Sequence, residues 1–554
     1  MQLVNRVHFR NLRGDIFGGI TAAIVALPLA LAFGVSSGAG AITGLYGAIF
    51  VGFFAALCGG TPSQISGPTG PMSVVMGTVF TASMAYSPNP ETGMAMAFTV
   101  VMLGGVFQIL FGILRLGKYI TLMPYTVISG FMSGIGVIII LLQIGPLLGH
   151  SGSGKVLESL MKIPEFVADL NLTATGLGIL TLLIVFLMPP RLNRILPAPL
   201  VALIVGTVVS VYVFPDPTLL RIGHIPTGLP QLHWPVLSLS RIKDMIGYSL
   251  MLATLGAIDS LLTSLVADNV TRTEHDSDRE LIGQGIGNLV SGLFGGLPGA
   301  GATMRTLINV QAGGQTPLSG MIHAVVLLII VLQAAQLTEN IPNAVLAGIL
   351  LKVGIDIIDW NFLKRAHRVS GKATGIMYGV MFLTVFVDLI TAVAVGVFVA
   401  NLLTVQKLTN YQIDQVKMIT SPTEGIDLSP EESILLQEAQ GLILLFRLGG
   451  PMSFGAAKAI AQQMKLVQDY QALILDLSDV PIIGVTTSLA IENIIKEAQE
   501  QQRQVFIVGA TGKVKERLKA LELWELLPTA NRVESRLEAL QQASRFIHQS
   551  LSHP

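Results

Sequence analysis

Through its first 420 residues the chain carries charge so sparsely that one apolar run after another is long enough to cross a bilayer. That feature limits its fold more than any other. Over all 554 residues, 51% are hydrophobic and only 12% are charged, and the mean hydropathy is +0.66. A soluble chain carries about 25% charged residues. Of the 68 Lys, Arg, Asp and Glu, 28 fall in the 134 positions from Ser421 onward. The chain therefore reads as a large membrane-embedded part followed by a small soluble one. Zero net charge argues against a nucleic-acid partner. The lone Cys58 excludes an intrachain disulfide framework. The opening MQLVNRVHFRNLRGD is polar and basic, and the first apolar run is a full span, so no cleavable signal peptide is expected.

A crossing helix needs about 20 apolar residues, or fewer where it is broken at mid-membrane. On that basis runs fall near Ile16–Gly34, Ile42–Leu57, Met72–Ala85, Met94–Leu114, Tyr125–Leu142, Thr175–Met188 and Leu200–Val213. Further runs fall near Tyr248–Val266, Leu281–Phe294, Thr303–Val310, Met321–Leu332, Ala344–Ile358, Thr374–Val387 and Ile390–Leu403, which makes about fourteen spans. Cytoplasmic loops are rich in Lys and Arg. Arg6, Arg10 and Arg13 precede the first run. Arg115 and Lys118 follow the fourth, Arg191 and Arg194 the sixth, and Lys364, Arg365, Arg368 and Lys372 the twelfth. The short loops Ser36–Ala41, Ser87–Gly93 and Thr338–Asn343 carry none. Both termini are expected in the cytoplasm.

The chain also repeats itself. Gly47, Leu57, Gly59, Gly60 and Pro62 recur as Gly283, Leu293, Gly295, Gly296 and Pro298 at a constant offset of 236 residues. About seven spans separate the copies, and an odd number inverts the second, a common build in secondary transporters. Just after each copy come SQISGPTGPMS (Ser63–Ser73) and GAGATMRT (Gly299–Thr306), both too rich in Gly, Pro and hydroxyls for an unbroken membrane helix. Pro68 and Pro71 remove N–H donors, while Gly67 and Gly70 let backbone approach a ligand. Such segments must line a protein-enclosed cavity, where helix N-termini present N–H groups to an anion.

An ionisable residue inside a span marks function, because its burial is costly. Asp259 lies mid-run, with Thr263 one turn on along the same face. Carboxylate plus hydroxyl is half a sodium site, and carbonyls near Gly301–Thr303 could complete it. A hydrogen-bonded fastener or a proton relay are the other readings of Asp259. Arg305 could steer an anion or pair with a carboxylate. Asp388 reads as a loop residue, Gln108 and Gln143 as helix–helix hydrogen-bonders, and Arg272–Glu280 as a charged cytoplasmic loop.

From about Leu435 the pattern changes. Gly441–Gly449, Ala472–Ser478 and Gln504–Ala510 read as buried strands, with Ser453–Asp469, Thr487–Gln501 and Arg532–Gln549 as helices, giving a small α/β domain. No Walker-type loop, metal cluster or nucleophile–base pair is visible, so no enzyme is expected.

Taken together, SQISGPTGPMSVVM, the Asp-Ser-Leu-Leu at 259, GQGIGNLVSGLFGGLPGAGATMRT and LDLSDV resemble the SulP anion transporters over nearly the whole chain. The resemblance implies an all-α polytopic membrane domain of about 14 spans, a 7+7 inverted repeat with core and gate domains, followed by a cytoplasmic α/β STAS domain. The boundaries it implies are a transport domain over 1–410 with repeats about 14–214 and 246–408, a linker over 411–434, and STAS over 435–554. It further implies a homodimer, involving the STAS domain, that works by elevator-like alternating access. Many family members carry Glu where this chain has Asp259, and Asp there resembles the sodium-coupled branch that carries bicarbonate. Carried over by position, Asp259, Thr263, Gly301, Ala302 and Thr303 would form a sodium site, and Thr69, Gly70 and the backbone around Ala302 would hold bicarbonate. The implied activity is sodium-dependent bicarbonate import across the inner (plasma) membrane for inorganic-carbon supply. The alternatives are a sulfate or dicarboxylate transporter, and a membrane-anchored anion sensor signalling through its STAS domain. A nucleobase symporter fits less well, because such proteins lack the C-terminal domain. Where related STAS switches carry Asp-Ser-Ser-Gly, this chain has Gly484-Val485-Thr486-Thr487, which puts Val485 at the phosphoacceptor position and leaves Thr486 as the possible substitute.

Overall fold

Each of the fourteen apolar runs folds as a helix, because a chain this poor in charge has no way to satisfy its backbone in lipid except within itself. The structure, a computed structural model, describes residues 5, 9–87, 89–120, 124–152, 155–193, 196–223, 230–387, 389–422, 428–464, 467 and 469–552. Arg6, Arg194 and Asp388 lie outside that set. The chain divides into two compact units, Met1–Ala400 and Asn401–Pro554.

In the first unit one order of elements occurs twice. The first pass is α1 (Leu12–Ser36), α2 (Ala41–Cys58), strand β1 (Ser66–Gly67), α3 (Gly70–Tyr86), α4 (Pro90–Ile113), α5 (Tyr125–Leu147), α6 (Leu172–Leu187) and α7 (Ala198–Val208). The second is α8 (Ile242–Thr271), α9 (Ser277–Leu293), β2 (Ala300–Gly301), α10 (Thr303–Gln311), α11 (Pro317–Thr338), α12 (Asn343–Ile357), α13 (Gly371–Phe386) and α14 (Leu389–Asp414), whose residues from Asn401 on belong to the second unit. By length and composition α1, α2, α4, α5, α8 and α14 can each cross a membrane, and α6 forms a pair with Val156–Ala168 bent by 115°. Apart from α11, the others are shorter, down to nine residues in α10.

The repeated glycines sit where the two passes interlock. A Cβ on Gly47 would meet the Leu297 carbonyl at 2.6 Å, and one on Gly283 would meet Gly59 Cα at 2.4 Å. Each copy thus packs a helix against the other copy's loop, the reciprocal contact that a two-fold relation produces. Among the described residues of this unit, two helices of ten residues or more escaped the apolar-run criterion, Val156–Ala168 and Trp360–Val369, because their apolar positions recur on one face only.

The second unit holds a five-stranded sheet in sequence order. Val416–Ile419 runs antiparallel to Ile443–Gly449, and then Ala472–Asp479, Gln504–Val508 and Arg532–Val533 add in parallel. Its strands alternate strictly. Leu444, Phe446, Leu473, Leu475, Val505 and Ile507 pack under helices Phe454–Met464, Val485–Glu500 and Gly512–Ala520. Leu445, Ile474, Phe506 and Val508 face helices Pro430–Glu438 and Arg536–Ser552. Burial on both faces explains why the strands read as continuous apolar runs. Within 411–434, expected as a linker, lie the edge strand Val416–Ile419 and the start of helix Pro430–Glu438. That helix is closed by a capping box between Ser429 and Glu432.

Candidate functional site

The two Gly- and Pro-rich segments cross. β1 and β2 pair antiparallel, Ser66 opposite Gly301 and Gly67 opposite Ala300. Close approach is possible only because side chains are missing: a Cβ on Gly299 would lie 2.5 Å from the Gly67 carbonyl carbon. Gly67 itself has φ +152°, and a Cβ there would sit 2.8 Å from Arg305 Nη1. Neighbouring groups satisfy the backbone on either side. The Ala302 N–H donates to the Ile65 carbonyl (2.9 Å). The Ile65 N–H donates to Thr306 Oγ1 (3.0 Å). Arg305 Nη2 donates to the Pro68 carbonyl (2.7 Å), and Asn288 holds Gly299 through both its amide groups at 2.7 and 2.9 Å.

Half-helices α3 and α10 start from this crossing. Neither N-terminus has a side-chain cap. Thr69, at the N-cap of α3, has a hydroxyl suited to capping, but that hydroxyl donates to Asp259 Oδ2 at 3.0 Å. The first-turn N–H groups of both half-helices are therefore left without intrahelical partners, as at any helix start, and they carry the positive end of the helix dipole. Beside Gly70 the walls are apolar: a Cβ there would meet Ile357 Cδ1 at 2.7 Å and Ile139 Cδ1 at 3.0 Å.

Asp259 comes from the middle of α8 and is half-buried. Among the described residues Thr69 is its hydrogen-bond partner, and no cationic side chain pairs with it. One turn on, the buried Thr263 Oγ1 lies 3.0 Å from the Gly301 carbonyl and 2.8 Å from Thr303 Oγ1. Thr263, Gly301 and Thr303 thus meet directly, with Ala302 between the last two, while Asp259 lies one turn back on the same helix and takes the Thr69 hydroxyl from the other half-helix, beside Gly70. Their donors are carboxylate, hydroxyl and carbonyl oxygens, the set a hard cation takes. Arg305 is buried behind the crossing on the Pro68 carbonyl. Ser260, not singled out in the sequence, accepts from the Gly301 N–H at 3.0 Å. Its adjacency to Asp259 was the only local sign of it.

One expectation is corrected. Arg272–Asp276 is a loop with Arg272, Glu274 and Asp276 exposed, as expected, but Ser277–Glu280 belongs to α9 and the cluster's last acid is buried. Asp268 pairs with His275, Asp276 caps α9, and Glu280 is 1% exposed. Glu280 accepts from the Gly60 and Thr61 N–H groups, both at 2.9 Å, and from Gln64 and Gln284 at 2.7 and 2.8 Å. Gln284 also reaches Ser66 Oγ at 2.6 Å. The acid therefore braces the loop leading into β1 from 220 residues away, a contact that no local pattern could reveal.

A helical membrane unit of two interlocked copies, crossing helix ends at a half-buried carboxylate, and a separate α/β domain define a membrane anion transporter of the sulfate permease type. The chain belongs to the Sulfate permease family, SulP, which matches residues 12–380, with a STAS domain matching 434–536. It is 54% identical over 555 residues to the bicarbonate transporter BicA of Picosynechococcus sp. strain PCC 7002, covering 100% of this chain and 98% of that one. The solved transmembrane domain of a cyanobacterium bicarbonate transporter BicA is 56% identical, covers 71% of this chain and 100% of its own, and superposes with a TM-score of 0.67. SLC26A9 shares the fold across 99% of this chain and 92% of its own, with a TM-score of 0.82 at 18% identity.

Proposed function

We propose that this chain carries bicarbonate into the cell together with sodium, across the inner (plasma) membrane, supplying inorganic carbon. Full-length identity to BicA supports the substrate. The observation that carries the coupling is the 3.0 Å hydrogen bond from Thr69 Oγ1 to Asp259 Oδ2, which ties the proposed anion side of the crossing to the proposed cation side. Sodium enters as co-substrate at the Asp259 carboxylate, the Thr263 and Thr303 hydroxyls and the Gly301 and Ala302 carbonyls. Bicarbonate is held at Thr69, Gly70 and the Ala302 backbone, with Arg305 adding positive potential from behind.

A bare carboxylate at membrane depth costs about 3 kcal/mol. Sodium neutralises Asp259 and frees the Thr69 hydroxyl to turn toward the anion, so each ligand raises affinity for the other. The crossing moves as one body in elevator-like alternating access. Both termini lie in the cytoplasm, where the placement of Lys and Arg puts them, and the STAS domain contributes to a homodimer.

Uptake of ¹⁴C-bicarbonate into proteoliposomes tests the reading. Uptake that needs an inward sodium gradient and resists competing sulfate supports it. Uptake indifferent to sodium removes the coupling, competition by sulfate moves the substrate to the sulfate class, and binding without net flux leaves a sensor.

A further inference from the structure

Between α12 and α13 lies the short helix Trp360–Val369, WNFLKRAHRV, one of the two that the apolar runs did not disclose. Its two sides differ sharply. Ala366 is fully buried, Phe362 and Leu363 are partly so, and the Phe362 ring packs edge-on against Tyr125 at 5.2 Å. Lys364, Arg365, His367 and Arg368 are exposed, as is Lys372 at the start of α13. Among the described residues, no carboxylate pairs with Lys364, Arg365, Arg368 or Lys372. The acid at the head of the helix is already engaged: Asp359 accepts from the Phe362 N–H (3.1 Å), Tyr125 Oη (2.7 Å) and Ser129 Oγ (2.8 Å).

Those bonds fix the helix to the start of α5. Because it joins two apolar helices of the membrane unit, it lies at the edge of the bilayer rather than within it. Trp360, Lys364 and Arg368 follow at steps of four and share a face, and Trp360 is 47% exposed. An aromatic ring and a row of cations on one exposed face, with the apolar side already buried in protein, match the chemistry of lipid headgroups that carry negative charge.

We infer that the cationic face of Trp360–Val369, with Lys372, is a docking surface for anionic phospholipid headgroups of the leaflet beside it. The same charges also orient the chain during insertion, but a role confined to insertion leaves no lipid preference in the folded protein.

The ring of Trp360 reports on this directly. In the full-length chain carrying Trp234→Phe and Trp524→Phe, Trp360 is the remaining tryptophan. In proteoliposomes, brominated phosphatidylglycerol is expected to quench its fluorescence severalfold more than brominated phosphatidylcholine at equal bromine content. The excess should shrink as salt is raised, since screening acts over about 8 Å at 0.15 M. Adding Lys364→Gln, Arg365→Gln, Arg368→Gln and Lys372→Gln should remove the excess and leave baseline quenching. Equal quenching by the two lipids in the Trp360-only chain overturns the inference without any appeal to the charge variant. Absence of quenching by either lipid overturns it too, since the face would then be covered by protein.

Discussion

In the first copy of the repeat, the half-helix α3 runs 17 residues from Gly70 without a charged side chain; in the second, α10 runs nine residues from Thr303 and carries Arg305 in its first turn. The helices that open the two copies differ in the same way. Past Asp15, α1 contains no ionisable residue, whereas α8 carries Asp259 at its centre. Backbone geometry is duplicated and charge is not. The crossing needs two broken strands and two helix starts, which any Gly-rich pair can supply, but a cation needs one carboxylate. In this account the second copy supplies the cation chemistry and the first answers with the Thr69 hydroxyl.

The difference between the two copies has its largest effect at Asp259. Asp259→Asn keeps the shape and the hydrogen bond from Thr69 but removes the charge, so sodium-dependent uptake should vanish while the detergent-solubilised protein stays monodisperse. Retained sodium dependence would mean that the cation is held elsewhere. Next is Gly299→Ala, which forces a methyl into the Gly67 backbone; overpacking of that kind costs about 3 kcal/mol. A clear fall in the thermal unfolding midpoint is expected, and an unchanged midpoint would show that the crossing is looser than drawn. Thr69→Val is nearly isosteric and removes only the hydroxyl. Losing one hydrogen bond to a charged group is worth about 2 kcal/mol, so the cooperativity between sodium and bicarbonate should fall at least roughly tenfold. A Thr69→Ser variant should restore it.

The smallest effect lies in the α/β unit, where charge is stabilised quite differently. Arg536 donates to both Glu432 carboxylate oxygens at 2.9 and 3.0 Å and approaches Asp476 at 3.4 Å. Burial works to raise the Glu432 carboxyl, but the hydrogen bonds and charge of Arg536, together with the hydrogen bonds of Ser429, outweigh it and hold the group below the usual glutamate range. Its contribution to stability is therefore complete above the unfolded value and is lost as pH falls through the lower folded one. Arg536→Ala should cost this unit about 1–2 kcal/mol near neutral pH and flatten that acid-side loss, as read from Trp524 fluorescence in urea. An unchanged acid profile would exclude the pair as its source.

How much the chain disclosed in advance follows the same division. All fourteen apolar runs became helices, because in a bilayer the backbone has few other options. The strands at 443–449, 472–479 and 504–508 were legible because both faces of the sheet are buried. Amphipathic helices Val156–Ala168 and Trp360–Val369 were not, since their charges interrupt any apolar run. Contacts were the least legible. Thr69 and Asp259 are separated by 190 residues, and Glu280 read as the end of a charged loop because the N–H groups it accepts from lie in a loop of the other copy. Composition identified the broken segments; only their crossing put Ser260, Asn288 and Thr306 around them.

Reciprocity is the most direct test of the central claim. Bicarbonate affinity of the purified full-length chain should be measured with and without sodium, and sodium affinity with and without bicarbonate. Each ligand is expected to tighten the other by the same factor, and this factor should collapse to one in Asp259→Asn. Bicarbonate affinity that does not change when sodium is withdrawn would contradict it.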